Sequence, residues 1–359
     1  MRGRSRGGTS LGGVRVVLAD PPAFTPAYDH ELASALARAG AEVELVTSRF
    51  RFGAVPAANG YRRRELFYPL SSRLFGRSRL RIPVKAVEHP FGLAGLGVVR
   101  ADVVHVQWLA APELDRFLLR TRAPRVLTAH DVLPRRTAAK IGLWRALFAR
   151  FERIVVHSER GAESLEALGV PRERLRIIPH AVSPSDPART DDGRTVLALG
   201  VIRTYKQLHH AAEAVRRVEG ARLLVAGDPT VPLPPLEGAD LRLGYLSPAE
   251  VELALGDATI AVFPYRAELD QSGALLQALG AGIPVVVYDV GGLAEPVRAF
   301  GAGRVVPADD VQALAHAIAE LLDDTAALDA ARAGARRARE ALTWDAAAQA
   351  HLALYRELV

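Results

Sequence analysis

Residues 195–206 read Thr-Val-Leu-Ala-Leu-Gly-Val-Ile-Arg-Thr-Tyr-Lys, and their pattern predicts the fold of the second half of the chain. A short apolar run ends at Leu199, Gly200 follows, and a polar segment leads into a predicted helix over residues 208–218. A buried strand that passes through a short loop into a helix is the repeating unit of a parallel α/β sheet. Parallel sheets bind ligands at the carboxyl ends of their strands, so residues 200–206 are the first place to look for a site.

The same alternation of strands and helices runs through both halves of the chain. In the first half we predict strands over residues 14–18, 41–47, 103–107, 125–128, 153–156 and 175–178, and helices over residues 30–39, 141–150 and 159–168. In the second half we predict strands over residues 195–199, 221–225, 241–243, 259–263 and 285–287, and helices over residues 208–218, 248–255, 273–280 and 311–322. The polar, proline-containing residues 183–193 separate the two series. The order predicts two Rossmann-like parallel-sheet domains that face each other across a cleft.

The composition is that of a globular protein. The 359 residues are 49% hydrophobic and 24% charged, a length that suits two domains. Cysteine is absent, which excludes disulfides, thiolate metal sites and a cysteine nucleophile. The longest apolar runs, such as residues 281–288, are shorter than the roughly 20 residues of a membrane-spanning helix. Residues 1–13 are basic, but the apolar run after them stops at Asp20, so we predict a flexible tail and a cytoplasmic protein.

Positive charge is concentrated in the first half of the chain. The net charge is +6, and the segment from Arg49 to Lys85 carries ten basic residues against the single acid Glu65. Such a run can attract the protein to an anionic membrane surface, at the inner membrane face, or to a phosphorylated acceptor. A solvated loop face is the alternative. The aromatic residues of this segment form no recognisable nucleic-acid module, so we expect no nucleic-acid partner.

Arg203 and Lys206 are the first candidate site residues. They follow the strand at residues 195–199, where two cations could bracket a diphosphate. Of the 46 basic residues, only Lys85, Lys140 and Lys206 are lysine, and a compact ammonium suits phosphate oxygens. A plain surface charge is the alternative.

The second candidate is the helix start at residues 270–277. Ser272 and Gly273 sit where a helix exposes unpaired N–H groups, which attract phosphate. Asp270 could accept hydrogen bonds from sugar hydroxyls, and Gln277 could reach a ribose. Ordinary helix capping by Asp270 and Ser272 is the alternative.

The third candidate is His130, which the strand at residues 125–128 delivers to the same edge. It could contact a sugar hydroxyl or a departing phosphate, and a histidine satisfied in the core is the alternative. His105 and Trp108, near the end of the preceding strand, and Tyr28, near the start of the first helix, are acceptor-side candidates. The other histidines, including His209 and His210, lack metal-ligand spacing, and no Asp-x-Asp loop follows a first-half strand, so we expect no divalent metal.

Taken together, these motifs resemble a retaining GT-B glycosyltransferase of family 4, the glycosyltransferase group 1 enzymes, over residues 14–359. The resemblance rests on Arg-x-x-Lys at 203–206, Leu-Arg-Leu-Gly-Tyr-Leu at 241–246, Asp-Gln-Ser-Gly at 270–273, Ala-Leu-Gly-Ala-Gly-Ile-Pro at 278–284, Ile-Ile-Pro-His at 177–180 and the final helix at 344–358. It implies an acceptor domain over residues 14–183, with the C-terminal helix at 345–359 packing back on it, and a donor domain over residues 194–344.

The resemblance also implies roles for individual residues. Arg203 and Lys206 would hold the diphosphate of a nucleotide-sugar donor, and His130 would approach the donor sugar's 6-hydroxyl and reactive carbon. The other donor-binding residues would be Tyr245 and Leu246 beside the base, with Asp270, Gln271, Ser272, Gly273, Ala274 and Gln277.

Three positions depart from the family pattern. Gln277 replaces the second of two glutamates, and only six residues separate it from Asp270 instead of seven. Ala181 stands where a glycine is expected, and Pro26-Ala-Tyr28 replaces a pair of glycines. A neutral amide binds ribose less strongly than a carboxylate does, so Gln277 is expected to weaken or alter donor use.

The sequence therefore predicts an enzyme that transfers a sugar from a nucleoside-diphosphate sugar to a lipid, a polysaccharide precursor or a small molecule. Two alternatives are a sugar-nucleotide epimerase and a non-catalytic, membrane-associated subunit of the same fold.

Overall fold

A computed structural model describes residues 13–76, 78–134, 136–266 and 271–359 of the protein. In the first half, the described strands are β1 (Arg15–Asp20), β2 (Glu42–Ser48), β3 (Arg62–Phe67), β4 (Val103–Val106), β5 (Arg125–Thr128), β6 (Arg153–Val156) and β7 (Leu175–Ile177). The helices between them are α1 (Pro26–Arg38), α2 (Arg81–Gly97), α3 (Pro112–Leu118), α4 (Ile141–Phe148) and α5 (Glu159–Ala167). The strands form one seven-stranded sheet in the order β3-β2-β1-β4-β5-β6-β7.

The second half repeats this plan. Its described strands are β8 (Thr195–Leu199), β9 (Arg222–Gly227), β10 (Asp240–Leu243), β11 (Ile260–Phe263), β12 (Val285–Tyr288) and β13 (Gly303–Val306). Its helices are α6 (Leu208–Arg216), α7 (Pro248–Asp257), α8 (Gly273–Gly280), α9 (Ala294–Phe300), α10 (Val311–Asp323), α11 (Thr325–Ala341) and α12 (Trp344–Arg356). The sheet order is β10-β9-β8-β11-β12-β13, and β8 pairs in parallel with both β9 and β11.

These two sheets confirm the predicted fold class of two Rossmann-like parallel-sheet domains. The central strands are buried along their whole length, as in β12, because helices cover both faces of a parallel sheet. In each sheet the strand order reverses beside the first strand, next to β1 and next to β8. Such a reversal opens a crevice at the carboxyl edge of the sheet.

Several elements were missing from the prediction because they lack a clean apolar run. β3 has the sequence Arg-Arg-Arg-Glu-Leu-Phe and is largely exposed at the sheet edge, and α2 contains Pro90 and three glycines. Helix α1 begins at Pro26, earlier than predicted, because proline is favoured in the first turn of a helix.

The chain divides into two compact units whose bounds differ from the predicted domain ranges. The first unit comprises the described residues up to Thr128, with Gly142–Ile154 and Ala348–Val359; the second comprises Ala129–Ile141 and Val155–Ala347. Within the second unit, Glu295 accepts hydrogen bonds from the N–H groups of Glu159 and Arg160 at 3.0 Å, and Arg160 pairs with Asp289 at 2.8 Å. These contacts tie α5 to the second unit. Within the first unit, Tyr355 of α12 bonds to His105 at 2.6 Å.

Candidate functional site

The candidate site of the second unit lies where its strand order reverses. β8 stands between β9 and β11, so the loop that follows β8 meets the loop that follows β11. Residues 200–206 belong to the first of these loops, and the second leads through Tyr265 to the start of α8. The fold thus brings together the two segments that the sequence analysis selected separately.

Lys206 lies at the centre of this site. Its Nζ atom donates a hydrogen bond to the carbonyl oxygen of Leu199 at 2.7 Å and lies 5.3 Å from the centroid of the Tyr265 ring. A Cβ atom placed on Gly200 would lie 3.1 Å from that Nζ atom and 3.3 Å from the Cβ atom of Ala274. The ammonium group therefore lies close to the first turn of α8.

The start of α8 supplies hydrogen-bond donors beside this cation. The Ser272 hydroxyl accepts from the N–H group of Leu275 at 3.3 Å, so its side chain caps the helix, as the capping alternative expected. Among the described residues, the N–H groups of Gly273 and Ala274 meet no protein acceptor, and the first turn contains no acid. Unpaired N–H groups and the positive end of the helix dipole both favour an anion here.

Lys206 is a cation that has no acidic partner among the described residues. Burial, together with the nearby Arg203 cation, lowers its pKa from 10.5 to about 8. Arg203 is exposed, and within the described ranges no carboxylate pairs with it. A bound anion would stabilise both cations, because it supplies negative charge that no carboxylate of the described residues supplies to them.

The other predicted donor residues differ in how exposed their side chains are. Tyr245 is 66% exposed and follows β10, and Leu246 is half-buried beside it. Gln271 is half-buried before α8, and the Gln277 side chain is exposed on that helix. Asp270 lies outside the described residues.

His130 is half-buried and belongs to a cluster of histidines in the second unit. Its Nδ1 atom lies 3.3 Å from Nε2 of His157, and the His157 ring centroid lies 5.2 Å from that of His180. The His180 ring in turn lies 5.8 Å from Trp344. His157 was not predicted as a site residue, although it follows β6 as His130 follows β5. The signal that could have identified it is a histidine after each of two neighbouring strands.

The contacts of His157 determine which nitrogen of each ring carries the proton. Nδ1 of His157 lies 2.9 Å from the carbonyl oxygen of Ile178, which can only accept, so this nitrogen donates. Burial lowers the pKa of His157 to about 4, and it lowers that of His180 to about 3. A neutral His157 therefore presents a lone pair at Nε2, and His130 donates to it from Nδ1. When His130 is neutral, its own Nε2 atom is an acceptor for a hydroxyl group.

Two of the three acceptor-side candidates are buried in the first unit. His105 is fully buried, with its nitrogens 2.6 Å from the Tyr355 hydroxyl and 2.7 Å from the Thr128 hydroxyl, and Tyr28 is 8% exposed. Trp108 is half-buried and donates from Nε1 to the Thr25 hydroxyl at 2.9 Å. The Trp108 ring meets the exposed Phe24 ring edge to face, with centroids 5.5 Å apart. These two aromatic side chains are therefore the solvent-accessible part of the acceptor-side region.

The first unit also contains a buried pair of carboxyl groups. Asp20, at the end of β1, and Asp29, in α1, are 0% and 1% exposed, and their side chains are hydrogen-bonded to each other. Burial raises the pKa of both groups. Asp20 raises the pKa of Asp29 further, whereas the hydrogen bond with Asp29 lowers the pKa of Asp20, so the proton of the pair resides on Asp29. Because neither group reaches the surface, this pair cannot serve as the acid and base of a sugar epimerase.

The described residues contain neither a metal-binding cluster nor a membrane-spanning helix. No group of three histidine, aspartate or glutamate side chains in these ranges could hold a metal ion. No helix in the part of the chain that the structure describes is long and apolar enough to cross a bilayer.

Comparison with solved structures gives the class of fold. The chain is similar to sucrose-phosphate synthase from Thermosynechococcus elongatus, with a TM-score of 0.74, 20% sequence identity, and coverage of 96% of this chain and 99% of that one. At this identity the likeness shows the fold alone, and that fold is GT-B.

Sequence comparison gives the family. Residues 28–186 match Glycosyltransferase Family 4, and residues 193–324 match Glycosyl transferases group 1. A D-inositol 3-phosphate glycosyltransferase of Catenulispora acidiphila is 30% identical over 317 residues, which are 73% of this chain and 75% of that protein. The chain belongs to glycosyltransferase family 4, whose members are retaining enzymes that use nucleotide-sugar donors.

A second relative is matched over a shorter range. The exopolysaccharide phosphotransferase SCO2592 of Streptomyces coelicolor is 32% identical over 189 residues, which are 49% of this chain. The matched region spans only 20% of the length of that protein.

Proposed function

We propose that Arg203, Lys206 and the first turn of α8 bind the diphosphate of the nucleotide-sugar donor. The observation that supports this most strongly is the position of the Lys206 ammonium beside Gly200 and Ala274. An ammonium, an exposed guanidinium and unpaired N–H groups together complement a diphosphate. As the sugar leaves, negative charge grows on the diphosphate, and these fixed positive groups would stabilise it.

The remaining donor contacts are those that the family resemblance implies. Tyr245 and Leu246 would flank the base, Gln271 and Gln277 would face the nucleoside, and Asp270 would contact the sugar. His130 would accept a hydrogen bond from a sugar hydroxyl through Nε2, because His157 takes the proton of Nδ1. With cations and a helix terminus in place, we expect transfer without a divalent metal.

The acceptor side is assigned more coarsely. We propose that residues 14–183, with the helix at 345–359, bind the acceptor, and that residues 194–344 bind the donor. On the acceptor side Trp108 and Phe24 offer an aromatic surface, whereas Tyr28 and His105 support it from within the core. A cytoplasmic enzyme at the inner membrane face, acting on a lipid-linked or anionic acceptor, would suit the basic segment at residues 49–85.

The test is a thermal-shift screen of the full chain with UDP, GDP and ADP and their sugar conjugates. A ligand at about 100 times its Kd stabilises the folded state by about 2.7 kcal/mol, which raises the Tm measurably. We expect at least one nucleotide to raise the Tm of the wild type and of Lys140→Ala, and to lose this effect with Lys206→Ala. If no nucleotide raises the Tm, or if Lys206→Ala responds like the wild type, the donor site is assigned wrongly.

A second assay separates transfer from the alternatives. An enzyme of the proposed kind leaves a labelled donor sugar unchanged in configuration on the product, and needs an acceptor to form it. Conversion of the labelled donor to another sugar nucleotide without an acceptor would indicate an epimerase. Lipid binding without any nucleotide binding would indicate a non-catalytic subunit.

A further inference from the structure

Helix α2 of the first unit carries an apolar stripe on its exposed face. Val87 and Phe91 of the helix are 64% and 74% exposed, and Leu80 and Val98, which cap its two ends, are 66% and 79% exposed. At 3.6 residues per turn, their spacing places all four within about 40° of one another around the helix axis. A single exposed apolar residue needs no explanation, but a line of four along one helix does.

The opposite face of α2 holds the helix in this orientation. His89 is buried, with Nε2 2.6 Å from the carboxylate of Asp115 in α3 and Nδ1 2.8 Å from the hydroxyl of Tyr68. A Cβ atom on Gly92 would lie only 2.3 Å from the Phe67 ring, so the inner face is packed closely at this point. The helix therefore cannot turn its outer stripe inward without breaking these contacts.

Neighbouring surface extends the apolar character of this region. Helix α3, which Asp115 joins to α2, exposes Leu114 and Phe117, at 41% and 56%. Ile82, in the first turn of α2, is also 67% exposed, but it lies on the opposite side of the helix from the stripe.

The charge around α2 is almost entirely positive. Residues 66–101 contain six basic residues and one acid, Glu88. Glu88 is half-buried and accepts hydrogen bonds from the N–H groups of Leu70 and Ser71, at 2.6 and 3.0 Å. Among the residues that the structure describes near the start of the helix, the exposed cations are Arg73, Arg79, Arg81 and Lys85.

The combination of exposed apolar residues and cations indicates which kind of partner binds this surface. A protein partner or a second copy of this chain would cover the stripe, but a second copy would also bring the same positive charges together. An anionic bilayer satisfies both features, because acyl chains accept the apolar side chains and acidic headgroups attract the cations. We propose that α2 binds anionic membranes by inserting this stripe into the interface, with Arg73, Arg79 and Arg81 at the headgroups.

This surface differs from the one that the sequence suggested. The basic segment was expected to act through charge over residues 49–85, whereas the structure adds an apolar stripe that extends to Val98. The proposal rests on the proposed function only for the idea of a membrane-bound acceptor. Its test uses no donor, so it can fail while the donor site stands.

The test is sedimentation of the full chain with lipid vesicles. We expect binding to vesicles of 70% phosphatidylcholine and 30% phosphatidylglycerol to be at least tenfold tighter than to pure phosphatidylcholine. Each cation near the surface contributes about 1 kcal/mol, or about fivefold in affinity, so added salt should weaken binding. The double variant Val87→Asp/Phe91→Asp should bind at least tenfold more weakly than the wild type.

A matched control places the same charge on another exposed apolar residue. Leu253, in α7 of the second unit, is 64% exposed, and Leu253→Asp should bind vesicles like the wild type. All variants should keep the wild-type Tm and its shift with nucleotide, because none alters a buried side chain.

Three results would overturn the proposal. The first is absence of binding to the anionic vesicles, and the second is full binding by the double variant. The third is a wild-type dimer in light scattering that the double variant converts to a monomer, without vesicle binding by either, which would make the stripe a subunit interface.

Discussion

Nε2 of His157 lies 3.3 Å from Nδ1 of His130, and this contact fixes the proton on the candidate catalytic histidine. His157 is itself oriented by the carbonyl oxygen of Ile178, and its pKa of about 4 keeps the ring neutral at physiological pH. The arrangement makes His157 a positioning residue, because it acts through His130.

We therefore expect His157→Leu to lower kcat about tenfold, with the donor KM nearly unchanged. The loss of one hydrogen bond of about 1–1.5 kcal/mol corresponds to a factor of that size. His157→Gln should recover part of the activity, since its amide can donate to Ile178 and accept from His130. Steady-state kinetics test this, and equal activity of the Leu and Gln variants would refute the positioning role.

A second prediction concerns the charge of Lys206. Lys206→Ala should lower kcat by about 10² or more, as expected when a group that stabilises developing charge is removed. Lys206→Arg should keep more activity because it retains the cation, although its fork does not fit the Leu199 carbonyl in the same way. Lys140→Ala is the control, and wild-type kcat in Lys206→Ala would exclude the role.

A third prediction follows from the pKa of Lys206. In the free enzyme this pKa is about 8, and a bound diphosphate raises it, so donor binding takes up a proton as the pH passes above 8. Donor affinity should therefore be constant below about pH 8 and fall as the pH rises above it. Lys206→Arg should remove this decline, because arginine stays charged. Titration calorimetry between pH 6.5 and 9.5 measures the effect. An equal decline in the wild type and in Lys206→Arg would mean that another group causes it.

The lowered pKa of Lys206 also makes the stability of the protein depend on pH, but stability rises with pH whereas donor affinity falls. The folded pKa lies below the unfolded value of 10.5, so between about pH 8 and 10.5 the unfolded state binds more protons. The contribution of Lys206 to the free energy of unfolding thus improves as the pH rises through this window. Lys206→Met should be more stable than the wild type at pH 7, and denaturant titrations should show the difference shrinking towards pH 10.

A fourth prediction concerns Gly200, whose φ of +91° is a backbone conformation that favours glycine. A methyl group there would press against Lys206 and Ala274. Gly200→Ala should lower both the Tm and the nucleotide-induced shift. Gly142→Ala is the control, because a Cβ there meets nothing within 4 Å and the residue lies in a helix. Matching thermal-shift curves for the two variants would contradict the prediction that a methyl group at Gly200 disturbs the nucleotide site.

A fifth prediction concerns Gln277, which is exposed on α8. Gln277→Glu should increase donor affinity about fivefold, because a charged hydrogen bond to a ribose is stronger than a neutral one by about 1 kcal/mol. Calorimetric titration with the best nucleotide of the screen measures this. Unchanged or weaker affinity would mean that Gln277 does not contact the ribose.

Local sequence determined the two sheets and the first outline of the site. Buried strands such as residues 195–199 and 285–287 are short apolar runs, and burial on both faces of a parallel sheet leaves such a run as its signature. The loop with Arg203 and Lys206 and the helix start at Gly273 were predictable for the same reason, since each follows a recognisable strand. β3 and α2 were not, because an edge strand is polar and a glycine-rich helix lacks the usual periodicity.

Contacts between segments far apart in the chain were decided only by the tertiary structure. The approach of Lys206 to α8 depends on the order of β8 and β11, and the pairing of His130 with His157 depends on adjacent strands that a helix separates in sequence. The burial of Tyr28 and His105 and the exposure of the α2 stripe are likewise set by what packs against them. Periodicity reports which side chains share a face, but only packing determines whether that face meets protein, ligand or solvent.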